Sequence, residues 1–463
     1  MNFHLIGIGG AGMSVIAHLL NEQGHVVSGS DKNESLTLEN LREKGVKVFV
    51  GHDETNVPND CVVVVSTAIT KVNPEYAYAK DKGLEIWHRS QALDFVARSK
   101  KMIAVAGAHG KTTTSGMFAF VLNSMGLDPS YAVGSTIKGL GKGGYAGKGD
   151  FFVAEADESD KSFLNYSPRL SIVTNVEADH LDNYANEQEF RDIFVEFANK
   201  ILPNGALVVC RDDEGALELA RTMSNKLRVI TYGKSTSVVE GEYARVRITE
   251  EELNSNGAKA VFELEHKGEK LKQHIELQVS GAHNILNAAG VFAACFDLGL
   301  DLEKVAFGLK GFSGTGRRFE LRGECAGVRI FDDYAHHPTE VLAALKQARI
   351  YAGEGRVAVI FQPHLYSRTI NFAQDFAKSL SLADLAIVVD IFAAREEPVE
   401  GIDSSIITNY MDSEIGHYIP DKQEAAFFVS NWVCESDIIV TVGAGDITYL
   451  GDTIIEFLQG ELF

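Results

Sequence analysis

Positive charge is scarce in this chain: 43 Lys and Arg stand against 64 Asp and Glu, a formal net charge of −21 over 463 residues. Such a surface repels phosphodiester backbones and anionic lipids, which argues against nucleic-acid and membrane partners. Long apolar runs are missing as well. Stretches such as Cys61 to Val65 and Phe151 to Ala154 are strand-length, far below a membrane span. No basic segment or cleavage site precedes the first apolar strand, so no secretory signal is expected. The five cysteines (Cys61, Cys210, Cys295, Cys325, Cys434) are odd in number and lack metal-ligand spacing, which suits a reduced, cytoplasmic protein. No internal repeat or low-complexity tract is visible.

Glycine, in contrast, stands where ligands are held. Residues 104–114 read Ala-Val-Ala-Gly-Ala-His-Gly-Lys-Thr-Thr-Thr, an apolar strand running into a helical pattern. Glycines let backbone N–H groups approach phosphate oxygens, the helix start adds partial positive charge, and a lysine reaches the outer phosphates. The spacing Gly107-x-x-Gly110-Lys111-Thr112 is shorter than the common phosphate loop, and a ligand-free Gly-rich turn is the bland alternative. A second glycine motif, Gly7-x-Gly9-Gly10-Ala11-Gly12, joins strand Phe3–Ile6 to the apolar-periodic stretch Met13–Leu20. Strand Val26–Ser30 then ends in Asp31, where an acidic ribose partner belongs. Such a turn recognises a pyrophosphate and the acid a ribose, so a UDP-sugar satisfies it as well as NAD does.

Alternation of strands and helices points to an α/β protein of three domains. A Rossmann-like N-terminal domain spans 1–98. A central domain of mononucleotide-binding, P-loop ATPase type spans 99–312 and carries a small antiparallel β insertion between Ser235 and Ser280. A Rossmann-like C-terminal domain spans 313–463. The glycine-dense stretch Gly139–Gly149 reads as a mobile lid. Strand Phe151–Ala154 ends in Glu155, and strand Ser171–Thr174 leads through Asn175 to His180. Open α/β sheets present ligand groups at the C-terminal ends of their strands, so these residues should converge on the phosphate loop.

Taken together, Gly7–Gly12, Gly107–Thr113, the run Glu155-Ala-Asp-Glu-Ser-Asp160, Asn175–His180, His283–Asn287, Asp332–Pro338 and Phe361–Thr369 resemble the Mur ligases, the ATP-dependent amide-forming family of peptidoglycan assembly. The resemblance covers essentially the whole chain. It implies that ATP activates the carboxylate of UDP-N-acetylmuramate as an acyl phosphate, which L-alanine then attacks. It further implies a monomer or weak homo-oligomer.

Site residues follow from the resemblance. Gly107 to Thr113, including Ala108 and His109, would hold ATP together with His283, Asn287, Arg317 and Asp333. Thr112 and Glu155 would hold Mg²⁺, with His180 at a second divalent site and Mn²⁺ able to substitute. Lys111, Glu155, His180 and Asn175 form the catalytic set. Gly9, Gly10, Ala11, Gly12, Asp31, Ser66 and His109 would hold the UDP substrate. His364, Arg368 and Tyr334 would hold the amino acid. Two residues depart from the family pattern: Ala108 replaces a polar loop residue, and Leu365 replaces an arginine of the amino-acid segment.

Three competing readings remain. A related recycling ligase joins a tripeptide to the same UDP-sugar, but Ser159-Asp160-Lys161-Ser162-Phe163 fits alanine addition better. A nicotinamide dehydrogenase would explain Gly7–Gly12 and leave Lys111 and Glu155 without a purpose. A non-catalytic nucleotide-gated scaffold would not need Lys111, Glu155 and His180 intact.

Overall fold

The computed structural model describes residues 1–177, 184, 186–394 and 396–460. Among them the strands form three sheets. The first is parallel and contains β1 (Asn2–Ile6), β2 (Val26–Asp31), β3 (Lys47–Val50), β4 (Val62–Val65) and β5 (Ile86–His88), in the order β3-β2-β1-β4-β5. Its helices are α1 (Ala11–Glu22), α2 (Leu36–Glu43), α3 (Pro74–Asp81) and α4 (Arg89–Ala97). Strand order reverses between β1 and β4, the place where a doubly wound sheet opens a crevice for ligand.

The second sheet contains β6 (Lys101–Ala106), β7 (Ser130–Ile137), β8 (Lys142–Tyr145), β9 (Phe151–Glu155), β10 (Leu170–Val173), β11 (Ala206–Cys210), β12 (Arg228–Gly233), β13 (Ala244–Asn254), β14 (Gly257–His266) and β15 (Glu269–Leu277). Their order is β15-β14-β13-β12-β11-β10-β6-β9-β7-β8. Helices α5 (Lys111–Ser124), α6 (Glu187–Ala198), α7 (Glu214–Met223), α8 (Ala282–Asp297) and α9 (Leu302–Gly311) accompany it. Strands β6, β9, β10 and β11 are almost fully buried runs of Val, Ile, Ala and Phe, as expected of parallel strands covered on both faces. The expected β insertion is present as β13–β15. It continues the central sheet, because β13 pairs in parallel with β12.

The glycine-dense lid is a correction. Residues 130–145 form the β7–β8 hairpin at the sheet edge, paired Tyr131 to Tyr145. Two glycines of the stretch serve close backbone approach: a Cβ on Gly143 would stand 2.5 Å from Ser135 O, and one on Gly149, past the hairpin, would stand 1.9 Å from Leu127 O.

The third sheet contains β16 (Glu320–Cys325), β17 (Val328–Asp333), β18 (Val357–Phe361), β19 (Leu385–Val388), β20 (Gly416–Tyr418) and β21 (Ile438–Val442), in the order β16-β17-β21-β18-β19-β20. Only the edge pair β16–β17 is antiparallel. Helices α10 (Pro338–Ala352), α11 (Tyr366–Leu380), α12 (Ser405–Thr408), α13 (Lys422–Trp432) and α14 (Leu450–Gln459) flank it. Pro338 opens α10 at its first turn with His337 as N-cap, where the missing N–H of proline costs no hydrogen bond.

Contacts divide the chain into two compact units. One comprises Met1–Glu251, Lys259–Leu277 and Ile285–Ser313; the other comprises Glu252–Ala258, Gln278–Asn284 and Gly314–Phe463. The first and second sheets thus share a unit. One apolar core runs from Phe3, Leu5 and Val64 through Val96 to Ala104, Phe152, Phe163 and Phe194. Among the described residues no helix is long and apolar enough to cross a membrane.

Candidate active site

Strand β6 delivers the phosphate loop. Its neighbours are β9 on one side, with Val105 opposite Glu155, and β10 on the other, with Ala106 opposite Val173. Glu155 and Thr174-Asn175 therefore flank the loop at the carboxyl ends of adjacent strands, as expected. Gly107 sits at φ +128°, and a Cβ there would stand 2.2 Å from Thr174 Oγ1 and 2.9 Å from Asn175 N. Gly110 caps α5 at φ +83°, and its missing Cβ would meet Asn287 Oδ1 at 3.0 Å. Asn287 thus packs against the loop itself.

Asn175, expected in the catalytic set, is hydrogen-bonded to the loop here. Its amide accepts from His109 N–H and donates to His109 O, both at 2.9 Å, while Thr174 Oγ donates to the same carbonyl at 2.6 Å. These bonds clamp the loop into shape and occupy both ends of the amide. His109 Nε2 in turn lies 3.1 Å from Glu177 Oε2.

Lys111 opens α5 and folds back on the loop. Its ammonium donates to Gly107 O at 2.7 Å and to both oxygens of Glu158 at 2.8 and 2.9 Å. Glu158 is fully buried. Burial pushes its carboxyl above the usual carboxylate range, and the Lys111 ammonium is the largest influence opposing that shift. Glu158 is the principal residue that sequence reasoning missed. The acidic run 155–160 offers several candidates, and nothing in its pattern says which one turns inward.

Glu155 accepts the Gly134 N–H at 2.6 Å and lies 3.4 Å from the Ser115 hydroxyl, one helical turn beyond Lys111. It therefore faces the first turn of α5, where the buried Thr112 also sits. His180 lies outside the described residues.

At the other glycine motif, Gly7 at φ +77° and Ile8 both donate their N–H to Ser30 O. Gly9 N–H donates to Asp31 Oδ2 at 2.8 Å, and Gly10 N–H donates to Gly7 O at 3.1 Å. Gly9, Gly10 and Asp31 were expected to face the UDP substrate; in this structure Asp31 holds the Gly9 amide and Gly7 O holds that of Gly10, which fixes the turn. Ala11 opens α1, Gly12 follows it, and Ser66 stands just past the end of β4, next to β1 in the sheet.

In the second unit, several expected ligand groups are also held internally. Arg317, at φ +55°, binds the buried Asp332 at 3.1 Å and donates to Gly443 O at 2.7 Å. Asp333 accepts N–H bonds from Phe319 at 2.7 Å and Ala335 at 2.8 Å, and burial pushes its carboxyl up to about 6. Both were expected to reach ATP. In this structure they brace the ends of β17 and β21, and the expectation applied to the third domain closed on its ligands. Tyr334 is stacked by the guanidiniums of Arg317 and Arg318, 4.8 and 5.3 Å from its ring centre. His364 stacks on Phe392, and the buried Arg368 lies in the first turn of α11. Leu365, the departure from the family pattern, takes φ +69° as N-cap of that helix. His283, in the first turn of α8, is pushed down to about 4 by burial and Arg318, so it is neutral near pH 7.

The comparisons with known proteins agree with this layout. Residues 2–101 match the model of the Mur ligase family catalytic domain, 105–295 the Mur ligase middle domain, and 317–445 the Mur ligase glutamate ligase domain. A UDP-N-acetylmuramate–L-alanine ligase of Renibacterium salmoninarum is 45% identical over 98% of this chain and 95% of its own. That of Mycolicibacterium smegmatis is 42% identical over 98% and 95%. The solved UDP-N-acetylmuramate–alanine ligase of Thermotoga maritima superposes with a TM-score of 0.77 at 29% identity, covering both chains completely. A murein peptide ligase from Psychrobacter arcticus shares the fold at 24% identity and a TM-score of 0.68, covering 99% of this chain and 98% of its own. With three matching domain models in sequence and relatives above 40% identity along its length, this chain belongs to the Mur ligase family, among the UDP-N-acetylmuramate–L-alanine ligases.

Proposed function

We propose that the protein joins L-alanine to the carboxylate of UDP-N-acetylmuramate while ATP is converted to ADP and phosphate, a step of peptidoglycan precursor synthesis. The observation that carries this reading is the phosphate loop flanked by Glu155 and backed by Lys111–Glu158, in one unit with a Rossmann-like sheet. A carboxylate is a poor acyl donor because oxide would have to leave. Transfer of the γ-phosphoryl group to the carboxylate oxygen gives an acyl phosphate. The amine of alanine then attacks the acyl carbon, phosphate leaves, and the amine loses a proton.

The barrier is one of charge and alignment, since the muramoyl carboxylate and the γ-phosphate repel each other. Positioning of two such reactants is worth about 7–11 kcal/mol. Lys111 exchanges Glu158 for the outer phosphates and offsets their charge. Gly107 to Thr113, with Ala108 adjusting the packing, forms the ATP cradle, with His283 and Asn287 toward the adenine. Thr112 and Glu155 fit Mg²⁺, because a hydroxyl and a carboxylate are hard oxygen donors gathered at one helix start. When bound, the ion neutralises charge on the β- and γ-phosphates. His180 belongs to a second divalent site, and Mn²⁺ can serve in place of Mg²⁺. Asn175 and Thr174 position the loop. The first sheet takes the UDP moiety near Gly12 and Ser66, and His364, Arg368 and Tyr334 take alanine. The domain limits 1–98, 99–312 and 313–463 go with this division of labour, as do a cytoplasmic location and a monomeric or weakly associated state.

The decisive experiment is ADP formation with ATP, Mg²⁺ and UDP-N-acetylmuramate, comparing L-alanine with the tripeptide. Alanine-dependent ADP supports the reading, and tripeptide-dependent ADP alone refutes it. Glu155→Ala is expected to abolish phosphate release while leaving UDP-substrate binding intact, and retained turnover would remove Glu155 from the metal site. Arg368→Ala is expected to raise the KM for alanine at least about ten-fold, the loss anticipated for one charged hydrogen bond, and to change that for ATP much less. An unchanged alanine response would refute the assignment of Arg368.

A further inference from the structure

In a chain that carries −21, three arginines gather on the central sheet away from the phosphate loop. Arg211 directly follows β11, and its N–H donates to Tyr232 O on β12. In the sheet register Thr231 stands opposite Arg245 and Gly233 opposite Arg247, so both β13 arginines share the face of Thr231 and Gly233. Gly233 takes φ +141°, and a Cβ there would stand 2.9 Å from Arg211 Cγ. The Arg211 side chain therefore lies over β12 at the gap this glycine leaves. Arg245 and Arg247 are near enough for their charges to act on it. β10 separates this place from β6 and its loop.

The Arg211 side chain is fully buried, yet only Nη2 is held, by Ser237 O at 2.7 Å and Glu242 Oε2 at 3.3 Å. Its Nε and Nη1, together with Nε of the half-buried Arg247, are buried donors without a hydrogen-bond partner among the described residues. The nearby carboxylates are already engaged. Glu242 also accepts the Thr231 hydroxyl at 2.7 Å and lies 3.8 Å from Arg245, whose main partner is Glu265 at 2.8 Å. Asp212 accepts the amides of Lys234 and Ser235. None of the three carboxylates is within ion-pair distance of Arg247. Buried N–H groups of a guanidinium need acceptors. A tetrahedral oxyanion offers several at once, with the charge and spacing that a planar fork fits.

We propose that Arg211 and Arg247 form a binding site for a phosphate group, free or at the end of a small ester, distinct from the loop Gly107–Thr113. Gly233 is the gap that lets the buried guanidinium reach it.

The test is equilibrium dialysis of labelled phosphate against the whole protein, with the ATP site saturated by magnesium and a non-hydrolysable ATP analogue. Wild type should hold a phosphate that chloride at equal ionic strength does not displace. Arg247→Gln and Arg211→Met should each weaken it about ten-fold or more, the loss expected for a charge-assisted hydrogen bond. Arg247 is only half-buried, so its variant decides the matter if Arg211→Met does not fold. Glycerol 3-phosphate tells the two sources apart: competition assigns the site to the end group of an ester, and lack of competition assigns it to the free ion. No phosphate on wild type, displacement by chloride, or undiminished binding in Arg247→Gln overturns the proposal. A second measurement needs no variant. In crystals soaked in tungstate, a heavy tetrahedral oxyanion, density should lie between Arg211 and Arg247, and density at the phosphate loop alone overturns the assignment.

Discussion

Lys111→Ala is expected to abolish phosphate release from ATP and at the same time to lower the melting temperature, an effect that a purely catalytic lysine would not have. The ammonium is bound to both oxygens of a fully buried carboxylate. Removing one partner of a buried pair costs up to about 3–5 kcal/mol, part of which Glu158 escapes by taking up a proton, since burial already raises its carboxyl. Loss of a preorganised phosphate ligand separately slows turnover by about 100-fold or more. The two effects part in the double variant Lys111→Met with Glu158→Gln. Neither buried charge remains in it, so it should regain most of the lost stability by calorimetry while staying inactive. UDP binding should survive in both proteins. Turnover within about ten-fold of wild type in Lys111→Ala, against the size expected for such a ligand, would refute the assignment of Lys111 to the phosphates.

The second large effect is steric. Gly107→Ala places a methyl group 2.2 Å from Thr174 Oγ1, at a φ of +128° that L-residues avoid. That hydroxyl holds His109 O, and Asn175 holds the His109 amide, so the methyl group must break the clamp that shapes the loop. ATP affinity is expected to fall by two orders of magnitude or more, and stability by about 3 kcal/mol, as for an overpacked core position. Gly126→Ala is the control. It also has positive φ, at +74°, but nothing lies within 4 Å of its added carbon. It should cost about 1–2 kcal/mol of backbone strain and leave ATP binding intact. Equal ATP affinity in Gly107→Ala and wild type would show that the loop does not need this shape.

The layered α/β architecture was legible because buried parallel strands read as continuous apolar runs, and because glycine turns mark where they give way to helices. The approach of Glu155 and Asn175 to the phosphate loop followed from strand ends alone. What remained hidden has one common cause: sequence tells which groups are polar and not which of them satisfy each other. Asp31 stands where a ribose partner belongs, yet it closes its own turn through Gly9. Arg317 and Asp333 sit at the mouth of the third sheet, yet Asp332, Gly443 O and the amides of Phe319 and Ala335 hold them. Glu158 is hidden for the same reason, since its partner lies 47 residues earlier in the chain. Glycine density between residues 139 and 149 suggested looseness, whereas at Gly143, Gly147 and Gly149 neighbouring backbone approaches too closely for a side chain.

One apolar core passes beneath both the Gly7–Gly12 turn and the Gly107–Thr113 loop. If the substrates bind as proposed, the span from the turn at the end of β1 to Lys111 is built into the packing, and ligand binding does not have to create it. On that reading the fold acts as a ruler: an acid tethered to its nucleotide by an arm of another length would arrive short of, or beyond, the phosphoryl group it must meet.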